Sequence, residues 1–456
     1  MEIKKFTLNN IGRFEHIEVS LAPSENSQSN VTVFVGNNGA GKTSLLKSLA
    51  TSLSWFVSRI RSEKGNGSPI PELVIHNSKP SAAVDIEVFD KQIQVESSDE
   101  EKTDAIFYWT IAKVRKGRKG QHTTQLSDVT VLANHYRQLL SENDSARLPL
   151  IAFYPVERSV LDIPLKIRDK HSFLQLDGYD NSLNQGVDFR RFFEWFRDRE
   201  DSENESGIPP EIYDSLVAIL GKDHDVWESL GKMGASPRDR QLTAVRSAIS
   251  HFMPGFSNLR VRRKPRLHMS IDKQGETFNV AQLSQGEKSL IALVGDIARR
   301  LAMMNPELEN PLHGDGIVLI DEVDMHLHPK WQRCLIKQFT STFPNCQFVL
   351  TTHSPLVISD SKDILAYLLD DGELKSLPSL FGLDANSVLL DVMDTDIRNA
   401  EIDTALKDLL DAIQEADLSR ARVQLSSLEA SLPSNNFELT KARLLLRKQE
   451  LRCEKN

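Results

Sequence analysis

Residues 36 to 43 read Gly-Asn-Asn-Gly-Ala-Gly-Lys-Thr, and their flanks dictate how such a stretch can fold. Before them, Val31, Val33, Phe34 and Val35 make a short apolar, β-branched run suited to a buried parallel strand. After them, Leu45, Leu46, Leu49, Leu53 and Phe56 recur at helical spacing. A glycine-rich turn between a strand and a helix lets successive backbone N–H groups and the helix N-terminus converge on one anion. Gly36, Asn37, Asn38, Gly39, Ala40, Gly41, Lys42, Thr43 and Ser44 are therefore read as a phosphate-binding loop. In it Lys42 reaches the β and γ phosphates of a nucleotide, and Thr43 holds a magnesium ion.

A second helix start lies far downstream. Ser284, Gln285, Gly286 and Glu287 precede Leu290, Leu293, Val294, Ile297 and Leu301, an apolar stripe of helical period. Alone, this turn reads as a plain N-cap with a charged first turn. Its company gives it meaning. Gly316-Ile317-Val318-Leu319-Ile320 is apolar throughout, as expected of a strand buried on both faces of a parallel sheet, and it ends in Asp321-Glu322. Strand ends of this kind are where α/β folds place chemistry. Asp321 suits a magnesium ion whose charge is shared with phosphates, and Glu322 suits a general base that polarises the attacking water. Cys346 to Leu350 is expected as the neighbouring strand, with Thr351, Thr352 and His353 at its end. His353 could donate to a γ phosphate, although a lone histidine after a strand is more often structural.

These motifs together resemble an ABC-type ATPase head: Walker A at 36 to 43, a signature at 283 to 287, Walker B at 316 to 322, Asp324 in the D-loop place and His353 in the switch place. Asp321-Glu322-Val323-Asp324-Met325-His326-Leu327-His328-Pro329, with Thr351-Thr352-His353-Ser354-Pro355, resembles the branch of SMC, RecF and OLD-family proteins. Met1-Glu2-Ile3-Lys4-Lys5-Phe6 and Phe153-Tyr154-Pro155-Val156-Glu157-Arg158 further resemble PtuA, the ATPase subunit of Septu-type antiphage defence systems. The resemblance implies an α/β fold, a P-loop head with a mixed two-lobe sheet, carrying a helical insertion and a C-terminal helical region. It implies ATP and Mg2+ as cofactors, with Glu322, His353 and Asp321 catalytic and Thr43 and Asp321 holding the metal. It also implies a homodimer at least, expected to build a higher oligomer, in which Ser284, Gln285, Gly286 and Glu287 of one copy cap the nucleotide held by the other. Asp324 would mediate between the two sites. The implied partner is a separate HNH nuclease, PtuB-like.

The chain departs from the family pattern where a Q-loop glutamine belongs. Residues Ile151 to Asp162 contain none, and Glu157 or a displaced Gln175 is the expected substitute. Arg13, in the turn Gly12-Arg13-Phe14, is a candidate nucleotide contact, with a plain surface arginine as the equal alternative. His326-Leu327-His328 alternates as metal ligands do, but no third ligand accompanies it, so His328-Pro329 is read as a helix start.

Composition narrows the rest. With 456 residues and 40% hydrophobic content, the chain can bury a large core and carry two to three domains. Cys334, Cys346 and Cys453 form no spacing pattern, no signal peptide is evident and no apolar run approaches the ~20 residues that span a bilayer. A cytoplasmic protein without a membrane partner is expected. The net charge of −9 gives no general attraction to nucleic acid. Two clusters are nonetheless basic: Lys113, Arg115, Lys116, Arg118 and Lys119 at a hairpin tip, and Arg260, Arg262, Arg263, Lys264 and Arg266 on an extended segment. DNA contact is open for both, with a solvated edge strand as the preferred reading.

The expected organisation is an ATPase lobe I over 1–150, lobe II with the helical insertion over 151–280, the signature, Walker B, D-loop and switch part over 281–395, and a helical partner-binding region over 396–456. Phe192, Phe193, Trp195 and Phe196 open the insertion and read as core. Neither an acidic TOPRIM cluster nor an HNH-like histidine cluster is evident, so cutting of nucleic acid is expected of another polypeptide. Two functions follow: a regulatory ATPase of an antiphage defence complex that controls a partner nuclease, or a RecF-like DNA-binding repair ATPase.

Overall fold

The structure is a computed structural model that describes residues 1–24, 27–96, 102–156, 173–183, 189–206, 215, 217–221, 239–396, 398–433 and 435–453. It divides into two compact units, Met1–Leu383 and Asp384–Asn456.

The first unit is built on three sheets. The central one contains β3 (Val31–Gly36), β6 (Leu150–Tyr154), β10 (Gly316–Ile320), β11 (Cys346–Thr352), β12 (Leu365–Asp370) and β13 (Glu373–Ser376). Their order is β13-β12-β3-β11-β10-β6; all neighbours are parallel except the terminal β12–β13 pair. Every residue of β3, β6, β10 and β11 is buried, which accounts for the apolar character of β6 and β10 and for the few polar side chains, Thr32, Gln347, Thr351 and Thr352, on the other two. The register puts Thr352 beside Val35 and Leu350 beside Ile320, so the ends of β3, β11 and β10 lie at one edge of the sheet. Helices Lys42–Arg61, Gln285–Met304 and Pro329–Thr342 carry the apolar stripes read from the sequence. The last of these begins as expected: His328 Nδ1 accepts from the Lys330 amide at 3.2 Å, with Pro329 in the first turn.

The second sheet is antiparallel and ordered β2-β1-β4-β5, from β1 (Glu2–Ile11), β2 (Phe14–Ser20), β4 (Ser81–Glu96) and β5 (Lys102–Val114). One buried side chain ties it to the central sheet. Gln347 on β11 accepts from the Ile3 amide at 2.8 Å and donates to the carbonyls of Ile3 and Ala22 at 2.8 and 2.7 Å. A third sheet, β7 (Phe256–Arg262), β8 (His268–Lys273) and β9 (Glu276–Asn279), leads into helix Gln285–Met304. Phe192, Phe193, Trp195 and Phe196 on helix Phe189–Ser206 are fully buried, as the aromatic cluster predicts.

The basic clusters are partly spoken for. Arg115 donates to the carbonyls of Lys79 and Ile75 at 3.0 and 2.9 Å, Arg262 to Ser270 at 3.2 Å, and Arg263 pairs with Asp201. The Arg115–Gly120 turn follows β5, and the chain returns to β5 through the isolated Thr110–Gln125 bridge and the Thr124 hydroxyl, which accepts from the Ala112 amide at 3.0 Å.

The second unit is helical, with Ala385–Asp391, Ala400–Gln414, Leu418–Ser431 and Phe437–Cys453. Leu406, Leu409, Ile413, Leu428, Leu439 and Leu446 form its buried core, with Ile402, Leu418, Leu425 and Leu445 packed against it.

Candidate functional site

The phosphate loop joins β3 to helix Lys42–Arg61. Gly41 is the N-cap residue at φ +105°, and no side chain among the described residues caps this helix, which leaves its first amides open to an anion. A Cβ on Gly41 would meet the Phe14 ring at 2.5 Å; only glycine fits. Lys42 is buried and folds back on the loop, its Nζ donating to the carbonyls of Gly36 at 2.7 Å and Asn37 at 3.1 Å. Asn37, Asn38 and Gly39 are exposed. The guanidinium of Arg13 lies over this loop, 3.5 Å from where a Gly39 Cβ would stand, and pairs loosely with Asp371 at 3.6 Å.

Across β11 stand the carboxylates. Asp321 is completely buried; its amide donates to the Tyr154 carbonyl at 2.9 Å and its Oδ1 accepts from the Thr351 hydroxyl at 2.6 Å. Its Oδ2 is buried with no hydrogen-bond partner among the described residues, an unmet acceptor that fits a cation. The next residue, Glu322, has φ +45°, unusual for a side chain of its size, and its amide donates to the same Thr351 hydroxyl at 2.7 Å. Glu322 Oε1 and His353 Nε2 lie 3.9 Å apart, each about one-third exposed. Asp324 accepts from the Thr352 hydroxyl.

The site behaves as one electrostatic unit. Burial lowers the Lys42 pKa from its usual value, and Glu322, Asp321 and Asp324 pull it back up. Burial, then the Lys42 cation, lowers His353, against an upward pull from the same three carboxylates. The fold thus brings together Lys42, Asp321, Glu322, Asp324 and His353, from segments more than two hundred residues apart in sequence.

Ser284, Gln285, Gly286 and Glu287 stand elsewhere. Ser284 and Glu287 form a capping box at the start of helix Gln285–Met304: Glu287 accepts from the Ser284 amide at 3.0 Å and from its hydroxyl at 2.9 Å. Lys273 pairs with Glu287 at 2.8 Å, and a Cβ on Gly286 would strike the His326 carbonyl at 2.4 Å. No hydrogen bond or ion pair among the described residues joins this turn to Gly36–Ser44.

Gln175 does not stand at the site. It donates to the carbonyls of Ala146 at 2.6 Å and Met304 at 2.8 Å, ahead of β6 rather than beyond its end, so it closes the opposite edge of the sheet. Glu157 lies outside the described residues. What does follow the end of β6 is a buried ion cluster that the sequence reading did not single out. The Tyr154 hydroxyl donates to Asp296 at 3.0 Å, and Asp296 pairs with Arg299 and Arg300 at 2.7 Å each, all within helix Gln285–Met304. Burial alone would raise the Asp296 carboxyl, but Arg300 and Arg299 outweigh it and hold it at about 2. Tyr154 therefore touches the signature helix with its side chain and Asp321 with its carbonyl. The signal was present as Asp at i with Arg at i+3 and i+4 in the stretch Leu290–Met304, otherwise without a polar side chain.

With the geometry in place, comparison with known proteins narrows the class. Residues 31–359 match the family described as "AAA domain, putative AbiEii toxin, Type IV TA system". The retron Vc95 probable ATPase of Vibrio cholerae serotype O1 biovar El Tor is 33% identical over 377 residues, 78% of this chain and 72% of that protein. The retron Ec83 probable ATPase of Escherichia coli is 32% identical over 416 residues, 83% of this chain and 73% of that protein. The Septu protein PtuA of Bacillus mycoides is 37% identical over 113 residues, 24% of this chain and 15% of that protein. The Septu likeness is thus concentrated in a short stretch, whereas the retron ATPases match most of the chain.

Proposed function

The chain belongs to this AAA-domain family, with an ABC-type ATPase head of the SMC and RecF branch, and from that premise we propose that it is the ATP-binding and ATP-hydrolysing subunit of an antiphage defence complex. The reading is carried by one observation, the convergence of Lys42, Asp321, Glu322 and His353 at the ends of β3, β10 and β11.

The uncapped first turn of helix Lys42–Arg61 receives the β phosphate, and Lys42 leaves the Gly36 and Asn37 carbonyls for the phosphate oxygens. Glu322 takes a proton from the attacking water, and the neutral ring of His353 donates to the γ phosphate from the far side. Thr43 and Asp321 would hold Mg2+, which when bound neutralises charge between the β and γ phosphates; the orphaned Oδ2 of Asp321 supports this.

Ser284 and Gly286 act in trans, on the nucleotide of a second copy, so two ATP molecules are closed between two heads. Their separation from the loop of their own chain is what that arrangement needs. ATP then ties the heads together and hydrolysis loosens them, and this state controls a separate partner, in our reading an HNH nuclease. Against a RecF-like repair ATPase stands the match of most of the chain to the retron ATPases.

The test is purified Glu322→Gln protein measured for ATP binding, hydrolysis and mass with and without ATP. It should retain nucleotide, lose hydrolysis by about 100-fold or more and stay dimeric in ATP. A variant that binds no ATP sinks the carboxylate assignment, and a mass indifferent to ATP sinks the shared site.

A further inference from the structure

The last helix, Phe437–Cys453, is apolar on two faces. Its inner face puts Leu439, Ala442 and Leu446 into the core of the second unit. On the outer face Phe437, Leu444 and Leu451 are 76%, 67% and 53% exposed. They stand seven residues apart, two turns less about 20°, so they line up as one narrow stripe. On the same wheel Lys441, Lys448 and Arg452 border the stripe on one side and Arg447 on the other, and all four are exposed. None of the four has an ion-pair or hydrogen-bond partner among the described residues. The helix's acidic side chains are committed elsewhere: Glu438 pairs with Arg398 and Glu450 with Arg422.

We infer that this face is the docking surface for an acidic amphipathic helix of a partner polypeptide. A single exposed leucine needs no explanation, but three at heptad spacing between cations do. Width decides against a membrane: an interfacial helix buries a face of about 100° or more, whereas this stripe spans about 40°, one apolar side chain per heptad with Thr440, Lys441, Arg447 and Lys448 between them. Charge decides against a second copy, because self-pairing would oppose Lys441, Arg447, Lys448 and Arg452 to like charges at the flanking positions. A helix with leucine in the seam and glutamate beside it satisfies both features. The inference rests on the proposed function only for the existence of a partner; the helix face is independent of the nucleotide site.

The probe is a labelled three-heptad peptide with leucine at a and d and glutamate at e and g, titrated against the full chain beside a version with lysine at e and g. The acidic peptide should bind at least about 10-fold more tightly than the lysine peptide, a difference of about 1.4 kcal/mol. Leu444→Ser and Lys448→Glu should each weaken it about 10-fold while melting temperature and ATP hydrolysis stay at wild-type values, since both side chains are exposed. Equal binding of the two peptides would overturn the inference. So would preferential binding of anionic vesicles or duplex DNA, or a self-association that Leu444→Ser abolishes. Absent hydrolysis in the wild-type protein would strike the nucleotide reading instead and leave the peptide result standing.

Discussion

The hydroxyl of Thr351 donates to Asp321 Oδ1 at 2.6 Å and accepts from the Glu322 amide at 2.7 Å, so one side chain on β11 fixes both carboxyl-bearing residues beyond β10. Thr351→Val keeps the volume but strands a buried acceptor and a backbone donor, which costs about 1–3 kcal/mol. Steady-state hydrolysis should fall at least about 10-fold with ATP affinity changed much less, because the defect is in aim rather than in the phosphate loop. Thr351→Ser retains the hydroxyl and should recover most of the rate. Equal rates in the valine and wild-type proteins would remove Thr351 from the site.

Asp296 makes stability depend on acid. Its folded-state pKa of about 2 lies below the ordinary 3.8, so its contribution is present above about pH 4 and disappears as pH falls through about 2. A depression of that size corresponds to roughly 2–3 kcal/mol. Urea unfolding between pH 5 and pH 2 should lose that increment in wild type. Asp296→Asn leaves Arg299 and Arg300 buried without a counter-charge and should cost about 3–5 kcal/mol already at pH 7.

Gly41 tests the loop. An alanine there combines φ +105° with a 2.5 Å approach to the Phe14 ring. Gly41→Ala should lower stability by about 1–3 kcal/mol in thermal melts and weaken ATP binding in the same protein. A wild-type melt with wild-type nucleotide affinity would contradict the conformation described for this turn.

His353 reports on Lys42. Followed by NMR, its imidazole should titrate below the ordinary 6.5, because burial and the Lys42 cation both disfavour its charge. Lys42→Ala removes the cation, and the midpoint should move up. A midpoint that moves down, or stays put, would separate the two residues in space.

The sequence displayed some of these relationships and hid others for a physical reason. Strands buried on both faces and helices with one apolar stripe advertise themselves by period, so β3, β10, β11 and the helices at Lys42, Gln285 and Pro329 were legible. Carboxylates following an apolar strand were legible too. Thr351 was visible only as part of a motif, because its partners lie on another strand and a hydroxyl carries no periodic signature. Gln175 was misplaced because an isolated glutamine does not reveal which edge of a sheet it will meet. The Asp296 cluster was not singled out, because its spacing is that of any charged helical turn and only burial on every side distinguishes it.

Because β11 lies between β3 and β10, the end of β3, from which the phosphate loop springs, and the carboxylates after β10 stand two interstrand spacings apart, roughly 10 Å. Backbone hydrogen bonding sets that gauge, and the chain between the strands does not enter into it. Segments as different as the β4–β5 pair and the aromatic helix can therefore be lengthened, exchanged or acquired between Thr43 and Gly316 without recalibrating the distance at which the chemistry works.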